Sequence, residues 1–307
     1  MLALLADIGG TNTRVALADG KVVRSDSLGR YKNADFPDLG AVLRQYLVDQ
    51  GVASVDGVCV AAAGPVRDGV AVMTNLDWTI DGAMLTAATG AGTWAILNDL
   101  QAQGHALGHI SDMRVVVDGP VRLGDAMLVV GVGTGMNAAP VHGTGAARIV
   151  AASECGHINM PIRTDEDFRL SQFIAGPHGF AGVEDVLAGR GLERIYAFVT
   201  GKEVAAADIM AALGAGDAAA RDTARIYVRL LGAELGNLAL IHLPFGGLYL
   251  IGGVARAMMP YFDQMGLKAA FTDKGRFAPF MENFQISVIE DDYAALTGCA
   301  AYLDSLN

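Results

Sequence analysis

The sequence predicts an α/β protein of two lobes, and three observations carry that reading. Apolar, β-branched runs alternate with stretches of helical apolar spacing along the whole chain, as strands interleaved with helices do. The opening pattern, an apolar run broken by glycine and threonine, returns near the middle of the chain, which points to a duplicated unit. With 307 residues, 52% hydrophobic and 18% charged, the chain is too long for one small core and has the apolar material to fill two.

The first element is the run Leu4-Leu5-Ala6-Asp7-Ile8-Gly9-Gly10-Thr11-Asn12-Thr13-Arg14-Val15-Ala16-Leu17, an apolar strand folded back around an acid and two glycines. Glycines at such a turn let the backbone take positive φ and let several N–H groups converge on phosphate, with Thr11 and Thr13 adding hydroxyl donors. Asp7, on the rigid strand before the turn, is placed to hold Mg2+ through water. An ordinary tight hairpin carries the same pattern. Next, Leu39, Val42, Leu43, Tyr46 and Leu47 have helical spacing, 55–62 reads as a buried strand ending at Gly64-Pro65, and 70–73 reads as another before Asn75. The apolar run 94–97 delivers Asn98-Asp99 to the carboxyl end of a strand, where α/β folds expose reactive groups. An Asx turn capping the following helix is the competing account of that pair.

The echo of the opening motif lies at 127–141, where an apolar strand meets Gly133-Thr134-Gly135 and a second apolar segment follows. Two such phosphate-holding hairpins predict a site in the cleft between two lobes. Gly133 to Ala138 also fits a dinucleotide-binding pattern with Glu154 as its ribose acid, the reading of an NAD-dependent dehydrogenase. That pattern needs a helix to open at once, whereas Pro140, Gly143 and Gly145 favour a second strand. Glu154-Cys155-Gly156-His157 brings an acid and an imidazole into one turn without the further cysteine or histidine spacing of a zinc site. Glu184 stands near the start of a helix, a usual place for a solvated acid. Together Asn98, Asp99, Glu154, His157 and Glu184 supply the acceptors and donors that a polyhydroxylated sugar needs. A long apolar helix from about Ala218 should stop before Pro244, Gly252-Gly253 joins a strand to a helix near Ala255, and 293–306 has helical spacing.

A formal charge of −11 argues against affinity built on neutralising nucleic-acid phosphates or an anionic membrane, while leaving room for a local basic cleft, so the expected ligand is a small solute. Three separated cysteines, Cys59, Cys155 and Cys299, indicate no disulfide framework and fit a reducing cytoplasm. The amino-terminal run lacks a basic leader and meets Asp7 too early for a signal peptide, and 230–243 is interrupted by Glu234, Asn237 and His242, poor material for a membrane span. There is no P-loop, no Gly-x-Ser-x-Gly elbow and no His-Glu-x-x-His helix.

As an ordered set, Ala6-Asp7-Ile8-Gly9-Gly10-Thr11-Asn12, the loop 73–78, Asn98-Asp99, Gly133-Thr134-Gly135, Glu154-Cys155-Gly156-His157, the run from Glu184 to Leu192 and Gly252-Gly253 resemble the bacterial glucokinases outside the repressor and kinase (ROK) group. These belong to the superfamily that includes hexokinase and actin, and the resemblance spans nearly the whole chain. It implies a two-lobed, duplicated ribonuclease H-like (actin-like ATPase) fold with an interlobe cleft, a small lobe of 1–98 plus 293–307 and a large lobe of 99–292. It implies transfer of the γ-phosphoryl group of ATP to the primary hydroxyl of glucose, with Asp99 as catalytic base and Asn98, Glu154, His157 and Glu184 on the sugar hydroxyls. Ala6 to Asn12, Gly133 to Gly135 and Gly252-Gly253 match the positions that hold Mg-ATP, with Asp7 toward Mg2+, and the resemblance implies a homodimer. Another hexose, or a non-catalytic sugar and nucleotide sensor, is the alternative. The ROK cysteine cluster is absent. Cys155 and Asn137 stand where glycine is usual, which bears on sugar preference, oxidant sensitivity and nucleotide fit.

Overall fold

The computed structural model describes residues 1–73, 76–176 and 179–306. Thr74 and Asn75, in the loop 73–78 singled out above, lie outside the described residues. The chain divides into two compact units, one of Met1–Ser111, Thr144–Val150 and Asp291–Asn307, the other of Asp112–Gly143 and Ala151–Glu290.

In the first unit the strand Leu2–Ile8 pairs antiparallel with Asn12–Asp19 and parallel with Gly57–Ala62, which pairs parallel with Thr93–Asn98. Gly29–Lys32 and Val22–Val23 extend the sheet along Asn12–Asp19. Both faces are covered, as a parallel sheet requires. Leu4, Ala6 and Ile8 pack with Val42, Leu43 and Tyr46 of the helix Leu39–Gln50. Ala3 and Leu5 pack instead with Leu296, Cys299 and Leu303 of the helix Ala294–Asp304. The strand's period of two divides its apolar residues between two cores. The unit runs past the expected limit at 98 because the helix Asp99–Ala106 lies against Ala294–Asp304 so closely that a Cβ on Gly298 would overlap the Ala102 carbonyl oxygen.

In the second unit Met127–Val132 pairs antiparallel with Met136–His142 and parallel with Leu248–Ile251. Leu248–Ile251 pairs parallel with Ile286–Ile289, whose outer neighbour Met113–Val117 is antiparallel. A hairpin followed by two parallel strands is thus present in each sheet. A strand, not a helix, follows Gly135, so the dinucleotide-binding reading is set aside. The helix Ala218–His242 is capped by Asp217, whose carboxylate accepts from the Ala220 N–H at 2.8 Å. It ends as expected just before Pro244, where Leu243 turns to φ +46°. Its buried face, including Tyr227, Leu231 and Leu235, packs with Leu128 and Val130 of the sheet and Val186 and Leu187. Among the described residues no helix is long and apolar enough to cross a membrane.

Candidate active site

In the first unit, three parallel strands end side by side, and the outer two carry polar residues there. Asp7 is in register with Ala61, Ile8 with Ala62, and Ala62 with Asn98. Carboxyl ends of adjacent parallel strands therefore bring Asp7 and Asp99 to one edge of the sheet. Asp7 also lies opposite Arg14 on the hairpin's returning strand, and the guanidinium meets its carboxylate at 3.1 Å. Burial raises the Asp7 carboxyl above its usual range, and Arg14 opposes that rise.

The turn between these strands is held by a residue that the sequence reading missed. Buried Asn33 donates from Nδ2 to the Gly9 carbonyl at 2.8 Å, accepts from the Thr13 hydroxyl at 2.8 Å, and donates its own N–H to the Thr11 carbonyl at 2.9 Å. Thr13 is therefore no donor toward phosphate; it is fully buried and engaged within the fold. Ala6 and Ile8 likewise turn their side chains into the core, so neither presents one to a ligand. Gly10 and Thr11 form the exposed tip, and the Gly9 N–H closes onto the Asn12 carbonyl at 3.0 Å. A signal for Asn33 was absent because its partners are twenty or more residues away along the chain, with no periodicity linking them.

Asn98 and Asp99 form the junction of the strand Thr93–Asn98 with the helix Asp99–Ala106. Asn98 is the N-cap: its Oδ1 accepts from the Leu100 N–H at 3.0 Å, while its Nδ2 donates to the Gly64 carbonyl at 3.1 Å. The capping role weighed from sequence is thus present. Asp99, the first helical residue and half-buried, accepts the Leu100 N–H at Oδ1 over 2.8 Å. Burial pushes its carboxyl up to about 6; the Leu100 N–H works against this rise and the negative charge of Asp7 adds to it.

In the second unit three glycine turns adjoin. The Gly189 N–H donates to the Gly133 carbonyl at 2.8 Å, and a Cβ on Gly133 would come within 4.0 Å of the Gly253 nitrogen. Gly252 takes φ +114° and lies so near the Val132 carbonyl that a side chain there would overlap it, whereas nothing lies within 4 Å of a Cβ on Gly253. Gly9, Gly10, Gly133 and Gly135 are not among the positive-φ glycines of the described residues, which corrects the expectation for both hairpins. At Gly135 close approach is the constraint, because a Cβ would sit 2.7 Å from Glu184 Oε2. Thr134 is exposed at the tip.

Glu184, in the first turn of the helix Val183–Leu187, is not simply solvated. It accepts the Met136 N–H at 3.0 Å and pairs with Arg190, fastening the hairpin to its helix. Glu154 and His157 are exposed on one turn, with Nε2 and Oε2 4.0 Å apart. That turn is organised by Asn137, whose Nδ2 donates to the Ser153 carbonyl and whose Oδ1 accepts the Cys155 N–H at 3.1 Å. The Cys155 thiol lies 3.5 Å from the same oxygen, so the two departures from the glucokinase pattern touch each other. Burial raises that thiol above its ordinary value, which keeps it protonated and unreactive at neutral pH.

The donor set suits Mg2+, which takes one or two carboxylates and retains water and phosphate oxygens. Asp7 offers an oxygen ligand on a fixed strand, its charge near enough to Asp99 to raise that carboxyl, while no group of three or more His, Cys, Asp or Glu side chains that could hold a metal ion occurs among the described residues.

A family model described as Glucokinase matches residues 4–306. A glucokinase of Nostoc punctiforme is 31% identical over 98% of this chain and 99% of its own length. The crystal structure of a glucokinase from an Antarctic psychrotroph is 28% identical, superimposes with a TM-score of 0.88 and covers 98% of both chains. That of a Balamuthia mandrillaris glucokinase in complex with glucose has a TM-score of 0.81 over 98% of this chain and 93% of its own; at 22% identity it speaks for the fold alone.

Proposed function

The chain belongs to the glucokinase family, and from that premise we propose how its residues carry the γ-phosphoryl group of ATP to the primary hydroxyl of glucose. It is an ATP-dependent glucose kinase yielding glucose 6-phosphate and ADP. Asp99 is the base. Phosphoryl transfer passes through a loose transition state that asks for alignment and charge stabilisation more than covalent help. The proton leaves the sugar hydroxyl late, when that oxygen has become acidic, and a carboxylate titrating at about 6 is ionised and ready at neutral pH. One oxygen of Asp99 is held by the Leu100 N–H, which fixes the carboxylate plane for the other.

Glu154 and His157 offer an acceptor and a donor from one exposed turn to sugar hydroxyls, and Asn98 and Glu184 border the sugar while holding their own elements in place. Main-chain N–H groups at the exposed tips Gly10-Thr11 and Thr134-Gly135, with the open approach at Gly253, receive the phosphates of ATP, while the Gly9 and Gly133 N–H groups close their own turns. Asp7 holds Mg2+, which when bound neutralises phosphate charge. The observation that carries the assignment is Asp99 itself: a half-buried carboxylate at a strand's carboxyl end, beside Asp7 and poised near neutrality.

A hairpin followed by two parallel strands, occurring in both sheets, supports a duplicated ribonuclease H-like origin. Three free cysteines fit a reducing cytoplasm. By family resemblance the active form is a homodimer, for which sedimentation velocity should return twice the 31.9 kDa chain mass, and a monomer would reject that state. The function is tested by a coupled assay for ADP over a panel of sugars and donors. Glucose with ATP should be turned over best; ADP release indifferent to sugar would reject the kinase.

A further inference from the structure

Apart from the residues assigned above, the first unit contains a basic cavity of about 330 Å³. Lys21, His105, His109 and Arg148 line it, with Asp304 as the facing acid and Ser305 as a hydroxyl. Two cations, Lys21 and Arg148, together in one cavity stand out in a chain of net charge −11. Arg148 is spent on one side only. Its Nη1 donates to the His105 and Leu107 carbonyls at 3.0 and 2.6 Å, closing the end of the helix that begins with Asp99. Its Nε is buried and has no hydrogen-bond partner. A buried donor without a partner is costly, and the Nε edge of a guanidinium is the edge that takes an oxyanion side-on. Burial alone lowers the Arg148 guanidinium; no carboxylate supports it. The same burial, with the Arg148 and Lys21 charges, lowers His109, and burial with Arg148 brings His105 to about 4.

We infer that this cavity binds a phosphate group, of inorganic phosphate or of a small phosphomonoester, between the Nε edge of Arg148, the Lys21 ammonium and the His109 ring. The anion satisfies the orphaned donor and offsets the cost of burying the Arg148 guanidinium, which no carboxylate supports. Because Arg148 closes the carboxyl end of the helix whose first residue is Asp99, an occupied cavity also steadies that helix.

The test is calorimetric titration with glycerol 3-phosphate and, separately, inorganic phosphate, into protein saturated with glucose and a non-hydrolysable ATP analogue so that the proposed ATP and sugar positions are filled. The expected result is one saturable site whose Kd rises at least tenfold in Lys21→Met and in Arg148→Met, with kcat unchanged in Lys21→Met. Nuclear magnetic resonance of the His109 ring should show its titration midpoint moving up when the anion binds. Equal affinity for both probes identifies free phosphate as the ligand, and tighter binding of the ester identifies a phosphomonoester. Absence of saturable binding, or a Kd unchanged in Lys21→Met, overturns the inference; the lysine variant keeps the test decisive even where loss of the Arg148 cap harms folding.

Discussion

At Asp99 stability and chemistry oppose each other. Its carboxyl titrates at about 6 rather than the ordinary 3.8, so ionising it costs the native state about 3 kcal/mol that the unfolded chain does not bear. The sign follows directly. Below pH 3.8 both states are protonated and the cost is absent; it grows between 3.8 and 6 and is complete above 6. Asp99→Asn, which keeps the oxygen that accepts the Leu100 N–H, should therefore be more stable than the parent by about 2–3 kcal/mol at pH 7.5. The gain should shrink as pH falls towards 4. Urea denaturation at both pH values measures this, and a variant less stable at pH 7.5 would mean that the carboxylate is not under strain. Asn98, one residue earlier, shows the reverse: it caps a helix and ties down the Gly64 carbonyl at once, so its amide stabilises where the Asp99 carboxylate costs.

Among the elements, two contacts decide how well these residues are held. Asn137 organises the turn bearing Glu154 and His157 through the Ser153 carbonyl and the Cys155 N–H. Asn137→Ala removes those bonds while leaving Asp99 untouched, so glucose Kd should weaken roughly tenfold, about the worth of one or two hydrogen bonds, with kcat within about threefold. Calorimetry with glucose is the check, and unchanged affinity would detach the turn from sugar binding. Gly298 is the second contact, where the helices Asp99–Ala106 and Ala294–Asp304 meet backbone to backbone. Gly298→Ala must push them apart, at a cost of about 3 kcal/mol or more, because the obstacle is a carbonyl and not a side chain that can turn away. Thermal unfolding should show a drop of several degrees; an unaltered midpoint would mean that the helices separate freely. Periodicity marked the helix near the end of the chain, and the Asn98-Asp99 pair marked the start of the other, but nothing in the sequence marked the glycine between them, since close approach is a property of the pair.

In the whole molecule, what was legible in the sequence is what short-range chemistry writes there. The strand Leu2–Ile8 with its hairpin, its echo at Met127–Val132, the helix Ala218–His242 stopping before Pro244, and Asp99 at a strand's carboxyl end all follow from local pattern. Three things did not. Asn33 locks the first turn from a distance in sequence; Thr13 is turned inward by strand register; Glu184 is taken up by a hairpin N–H and Arg190. Each depends on which segments meet in space, and register or tertiary pairing is not encoded in any single window of residues. The same limit applies to the first unit's extent, which reaches Ser111 because of helix packing where the resemblance implied a break at 98.

The central claim is that Asp99 takes the proton as ATP phosphorylates glucose, and the most direct measurement is turnover and glucose affinity of Asp99→Asn beside the parent enzyme. The account predicts a fall in kcat of at least about a thousandfold, within the range expected when general-base assistance is removed, with glucose Kd changed by less than about threefold. A variant that makes ADP from ATP and glucose at the parent's rate would contradict it.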